Sequence, residues 1–362
     1  MIGRILGRNP GAVVAVILTV FGTGLWTIHD YIVNVVHPRQ EALLQTQIQS
    51  HIASAEQLFT LKHFDIALQE FTYILNTNRG HLAAGDQSRV HDAIGQCHLR
   101  LSSEGKAEDH LRSALASFDA ALAATPLEVD AVFSTKVRSH QGDAYRELAR
   151  LVDADANLAK AEAAYQQVMS ARPRAADPAG HADAQRMLAN VYRDRYQHSR
   201  DDQHIQAALD RYAQALATAA NDRFPETHGS ILIDMGKAYV LLSEGRYRAR
   251  HLEQAVALFE TASDVLGVDR FPHAHAAAQL QVAETYSLLA GTEPKSRTDR
   301  AAHQQKVISY QNKAQMAYRV ARSFGLSSDR VIATNGSSGG GGASAASAGA
   351  DPNTVETDKI EK

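Results

Sequence analysis

Residues 158–168 read LAKAEAAYQQV. Leu158, Ala161, Tyr165 and Val168 recur at intervals of three and four, so on a helix they form one apolar face. The same face returns at a fixed distance. Ala67, Ala114, Ala161, Ala208 and Ala255 are 47 residues apart. Four residues on stand Phe71, Phe118, Tyr165, Tyr212 and Phe259. Three further on stand Ile74, Ala121, Val168, Ala215 and Ala262. In the later four units Leu111, Leu158, Ile205 and Leu252 precede the alanine by three.

A second helical pattern keeps step. Gly95, Gly142, Ala189, Gly236 and Ala283 hold a small residue at the same period, followed after three positions by His98, Tyr145, Tyr192, Tyr239 and Tyr286. Pro126 and Pro173 fall just beyond two of the alanine helices, where proline stops a helix. Arg223-Phe224-Pro225 and Arg270-Phe271-Pro272 repeat in the next two linkers. The chain is therefore a helical repeat array, whose units bury apolar surface by stacking on their neighbours. The small residues would let helix backbones approach, with the aromatic rings filling the space between successive hairpins.

G-x2-Y on one helix, A-x3-F on the next and then proline resembles the tetratricopeptide repeat, TPR. The resemblance covers about residues 48–325 and implies an all-α, TPR-like α-solenoid of antiparallel helix pairs, about six in number. The unit departs from the family's 34 residues by 13, seven between the small residue and the next alanine and six between the proline and the next small residue. The first unit has ordinary spacing, with Ala55 and Leu58 ahead of Ala67. The last carries an insertion near Gly291–Gln304 and resumes at Ala314, Tyr318 and Ala321.

Residues 1–36 differ from all that follows. Gly11–Ile28 reads GAVVAVILTVFGTGLWTI, without a charge, and as a helix covers about 27 Å. No A-x-A site follows it, so it reads as a retained anchor over 11–36 rather than a cleaved signal, behind a short N-terminus of residues 1–10. Arg4 and Arg8 precede it and Arg39 follows, which puts the N-terminus in the cytoplasm. The expectation is a single-pass protein of the inner membrane, with its repeat domain (37–325) in the periplasm. Residues 326–362, with NGSSGGGGASAASAGA and the end DPNTVETDKIEK, predict a disordered tail.

The 362 residues hold 37 basic and 40 acidic side chains, a net charge of −3, which excludes the basic excess a nucleic-acid binder needs. The lone Cys97 excludes an intramolecular disulfide framework. Cys97 itself reads as a small core residue. No nucleotide, hydrolase or metalloprotease motif is present, and His273 and His275 point apart on a helix. No catalytic residue, cofactor or metal ligand is expected, and the chain does not read as an enzyme.

In the TPR family, residues three before, one after and four after the small residue usually face a concave groove. Carried over, the middle of the groove holds Arg146, Arg186, Asn190, Arg193 and Lys237. This resembles the basic-plus-asparagine clamp by which some such repeats hold a peptide carboxylate. Ordinary surface ion pairs are the competing reading. On the clamp reading, Arg186→Glu and Arg193→Glu should abolish partner capture without unfolding. The implied function is a membrane-anchored scaffold on the periplasmic side, assembling or stabilising an envelope complex or handling exported proteins. The alternative is a stoichiometric accessory subunit of a respiratory, secretion, motility or photosynthetic machine. Expected partners are membrane-bound or exported proteins and, through the N-terminal helix, the lipid bilayer, but no nucleic acid; self-association is left open.

Overall fold

The computed structural model describes residues 32–78, 80–126, 129–220, 223–292 and 300–326. A five-residue π-helix, Ile32–Val36, leads into α1 (His37–Thr60). Then follow α2 (Phe64–Asn78), α3 (Ala84–Leu101), α4 (Ala107–Ala124), α5 (Ala131–Ala149) and α6 (Ala154–Ala171). After these come α7 (Pro178–Ser199), α8 (Asp202–Thr218), α9 (Pro225–Leu242), α10 (Arg248–Leu266), α11 (Pro272–Ala290) and α12 (Arg300–Ser323). Consecutive helices pack as pairs, and each pair stacks on the next, giving a solenoid of six hairpins. First helices also touch across the stack (α1 with α3, α3 with α5, α7 with α9), so they build one wall.

The repeat positions explain the core. Ala114, Phe118 and Ala121, and their equivalents in each unit from Ala67 to Ala262, are buried. The aromatic sits within its own hairpin rather than between hairpins. A Cβ on Gly142 would lie 2.5 Å from the Tyr165 ring, and one on Gly236 2.5 Å from Phe259; Gly95 meets Phe118 in the same way. Glycine thus buys close packing of a ring onto helix backbone.

The linkers repeat as closely as the helices. Asp130 and Asp177 accept from Phe133 N (2.9 Å) and Gly180 N (2.8 Å) and start α5 and α7. One period on, Phe224 and Phe271 take that position ahead of Pro225 and Pro272. The arginine-phenylalanine-proline linkers are therefore helix starts, with proline at the first turn, where no N–H is missed. Ser134, His181 and His228, again 47 apart, each bond the carbonyl nine residues back: Thr125 O (2.9 Å), Arg172 O (2.9 Å) and Ala219 O (2.7 Å). His275, one period further on, bonds a carbonyl twelve residues back, Ser263 O at 2.9 Å. These side chains satisfy carbonyls that end the preceding helix.

Each of the first five hairpin turns contains a left-handed residue that is not glycine. Lys106, Asp153, Arg200 and Tyr247 have φ of 44°, 43°, 57° and 60°, and Lys62 fills the place in the shorter first unit with 66°. A Cβ in this region costs on the order of 1 kcal/mol. Lys106→Gly is expected to raise stability by about 0.5 kcal/mol, after the added freedom of the unfolded glycine is subtracted. A urea midpoint that does not rise would show that the lysine side chain compensates for the strain.

One expectation is corrected. The fold does not include a demonstrated transmembrane helix ahead of the repeats: among the described residues, no helix is long and apolar enough to cross a membrane. The placement as a single-pass inner-membrane protein, N-terminus in the cytoplasm and repeats in the periplasm, falls with it. Residues 11–31 of the expected anchor lie outside the described residues, as do residues 1–10 and, apart from Leu326, the expected tail over 326–362. The described remainder of the anchor, Ile32–Val36, runs into a helix of a different kind. In α1 only Ile48, Ile52 and Ala55 are buried. That stripe packs on α2, and the other faces carry glutamines, histidines, serines and threonine.

Candidate functional site

The five groove candidates stand on the first helices of the third, fourth and fifth hairpins, and the structure joins them in one network. Arg146 on α5 donates from Nε (2.8 Å) and Nη2 (2.6 Å) to the single oxygen Asp194 Oδ2 on α7. Arg186 on α7 reaches Asp183 Oδ1 (2.6 Å) and Asp234 Oδ2 on α9 (2.6 Å). Asn190 Nδ2 donates to that same Asp234 Oδ2 at 3.0 Å. Arg193 donates to Asp194 Oδ1 at 3.1 Å, and Lys237 lies 3.4 Å from Asp234 Oδ1. Arg146 Nη1 lies 3.8 Å from Asp143 Oδ1.

The second helices supply the floor. Tyr165 donates to Asp143 Oδ1 at 2.6 Å, and Tyr212 donates to Asn190 Oδ1. Both tyrosines are fully buried at the repeat's aromatic position, where the second and fifth hairpins have Phe118 and Phe259. A hydroxyl there requires a partner. Asp143 and Asn190, each one residue after the small position, provide it.

The spacing of these polar pairs has a simple origin. Arg146–Asp194 and Arg186–Asp234 are 48 residues apart, as is Asp92–His140 (2.8 Å) nearer the N-terminus. One period plus one residue joins neighbouring first helices across the wall. The side chains are deeply placed: Arg146 and Asp194 are 9 % and 7 % exposed.

The electrostatics follow from this crowding. Burial pushes the Asp234 carboxyl up, but Lys237, Arg186 and Arg193, with the Asn190 amide, outweigh it and hold the group far below the carboxylate range. Burial likewise opposes Asp194, and Arg146 and Arg193 prevail and hold it below its ordinary value. Burial raises Tyr212 and Tyr165, so both hydroxyls stay protonated donors. The cations Arg146, Arg186, Arg193 and Lys237 face the carboxylates Asp143, Asp183, Asp194 and Asp234. The cluster is electroneutral, and its donors are largely engaged internally; Arg193 Nη1 alone in this cluster is buried without a hydrogen-bond partner.

Sequence reasoning found the basic side chains and missed Asp194 and Asp234, the carboxylates that organise them. The signal was available as opposite charges 48 residues apart. It also follows that Arg186→Glu would set a third carboxylate against Asp183 and Asp234. That substitution and Arg193→Glu are therefore expected to destabilise the wall as well as to change its surface.

The other expected residues fall into structural places. Cys97 is fully buried and burial pushes its thiol up to about 12, so it stays protonated at neutral pH. His98 shares a hydrogen bond with His110, Nδ1 to Nδ1 at 2.9 Å; burial and His110 hold it below its ordinary value. Among the described residues, no group of three or more His, Cys, Asp or Glu is placed to hold a metal ion.

No protein-family model matches this chain, and no curated protein matches it. Among solved structures, it is similar to a signal-transduction ATPase (STAND protein) with a tetratricopeptide repeat sensor from Pyrococcus horikoshii. The TM-score is 0.46 at 12% identity, over 88% of this chain and 46% of that one, so the chain spans less than half that protein's length. It is also similar to the nuclear import adaptor Nro1 of S. pombe in two crystal forms. There the TM-scores are 0.40 and 0.39, at 12% identity, over 81% and 80% of this chain and 98% and 94% of the other.

Proposed function

We propose that the chain is a non-enzymatic protein-interaction scaffold that holds partner proteins in the assembly or stabilisation of a larger complex. One observation carries this reading. Consecutive first helices form a wall that a largely buried polar ladder ties from hairpin to hairpin, through the Asp92–His140 hydrogen bond and the ion pairs Arg146–Asp194 and Arg186–Asp234. Such a wall is preorganised, so binding to it loses little ordering entropy. A helical repeat of this kind presents extended surface instead of a closed reaction site.

The test is affinity purification of the full chain with quantitative mass spectrometry, beside a variant carrying Lys136→Ala and Ser287→Arg. Both positions are exposed, Lys136 beside Asp92 and Ser287 four residues after Ala283. Expected is a set of co-purifying proteins at substoichiometric to stoichiometric ratio, reduced at least about tenfold in the variant, the equivalent of about 1.4 kcal/mol. Retention of the same proteins by the variant would remove this wall from the model. A single set at fixed one-to-one ratio, retained through all washes, would favour the accessory-subunit alternative.

A further inference from the structure

We infer that the chain pairs with a second copy of itself along the edge formed by its hairpin turns, about a twofold axis at the turn of the fourth hairpin. The inference goes beyond the scaffold reading and does not rest on it. The two helices of a hairpin are joined by a short turn and pack side by side, so the turns line one edge of the stack and the linkers the other. The left-handed residues Lys106, Asp153, Arg200 and Tyr247 mark equivalent places in four successive turns, 47 residues apart. The fourth and fifth turns are neighbours in space, since Arg200 pairs with Glu244 across them at 2.8 Å.

This edge is polarised. The third turn brings out Asp153 and Asp155, while its arginine, Arg150, is engaged by Glu147 at 2.8 Å. The fifth brings out Arg246, Arg248 and Arg250. All five side chains are exposed, and none has an ion-pair partner among the described residues. The contrast runs against the rest of the chain. The second helices α2, α4, α6 and α8 each carry an acidic residue in the first turn, which suits the positive end of a helix. α10 carries none and has Arg248 and Arg250 there instead. These cations oppose the helix end on which they sit, and a facing carboxylate surface would offset that.

That surface lies on the chain itself, two turns away. Because the turns recur at a constant interval, a twofold axis through the fourth turn sets the third turn of one copy against the fifth of the other, and the reverse. Asp153 and Asp155 then meet Arg246, Arg248 and Arg250, twice over. Leu151, 45 % exposed, meets Tyr247, 72 % exposed, which adds the apolar contact that isolated surface ion pairs lack. The fourth turn carries both signs, Arg200 beside Asp201 and Asp202, so it can oppose its own image. Copies running in the same direction would set arginine against arginine, so charge fixes the arrangement. An acidic segment of another protein would answer the arginines but leave Leu151 and the two aspartates unused.

The test mixes full chains carrying Leu151→Cys with full chains carrying Tyr247→Cys under mild oxidation. The native Cys97 is fully buried and does not compete. Expected is a disulfide-linked dimer of unlike chains, at least about tenfold more abundant than the product of either chain alone, because only unlike cysteines face each other. The product should fall as salt is raised, a measurement that needs no change at the arginines and so holds even where a variant folds poorly. Arg246→Glu, Arg248→Glu and Arg250→Glu together, in both chains, should abolish it, and adding Asp153→Arg and Asp155→Arg should restore it by exchanging the signs. Absence of a linked product, equal yields from like and unlike chains, or a yield that salt and the triple substitution leave unchanged would overturn the pairing. Capture of an acidic protein through the three arginines, with no linked dimer, would overturn it too and assign the fifth turn to that partner. None of these outcomes touches the Lys136 and Ser287 capture experiment.

Discussion

Asp234→Ala is expected to remove about 3–5 kcal/mol of stability, the cost of breaking a buried ion pair from one side. Without this carboxylate, Arg186 keeps only Asp183, Asn190 Nδ2 loses its acceptor, and the Arg193 guanidinium retains Asp194 alone. Unpaired buried charge is what makes the loss large, against a typical total of about 5–15 kcal/mol. Asp234→Asn, which keeps shape and one acceptor, should cost less. Repeat arrays open in parts, so the loss should be greatest in hydrogen exchange of α7 and α9 and smaller in the terminal hairpins. Protection in α7–α9 within about 1 kcal/mol of the parent would show that water screens the network.

The same network sets an acid limit. Asp194 and Asp234 are held below the ordinary carboxylate value in the folded chain. A depressed folded pKa means that the unfolded chain binds protons first. Their stabilisation is complete above the unfolded value, near 3.8, and is lost as pH falls from there through the folded values. Thermal midpoints of the parent should drop steeply below about pH 4, and Asp234→Asn should flatten that slope. Equal slopes for both proteins would assign acid sensitivity to other groups.

Gly142→Leu is expected to cost about 3 kcal/mol or more, since its Cβ alone would stand 2.5 Å from Tyr165 Cε1 and 2.6 Å from Cζ. The ring cannot withdraw easily, because its hydroxyl is tied to Asp143 at 2.6 Å and the side chain is fully buried. Helix propensity argues the other way by up to about 1 kcal/mol, so steric conflict decides the sign. Gly85→Ala, in α3 with nothing within 4 Å of its Cβ, isolates the propensity gain and should be neutral or slightly stabilising. Urea midpoints measure both. A Gly142→Leu protein as stable as the parent would mean that the helix pair separates freely.

The sequence by itself determined the repeat, its 47-residue length and the face each helix buries. Apolar periodicity is a local property: Ala161, Tyr165 and Val168 must share a side of any helix they form. The opposed charges 48 residues apart were also written in the chain. Their meaning was not, because a charge at a groove position is a solvated side chain or a buried pair depending on how closely the next first helix approaches. Tertiary structure decided that. It placed Asp194 and Asp234 among the arginines and turned an apparent carboxylate clamp into an internal ladder. Distance between neighbouring helices, set within hairpins by the packing of rings onto small residues such as Gly95, Gly142 and Gly236, is the quantity that no single stretch of sequence carries.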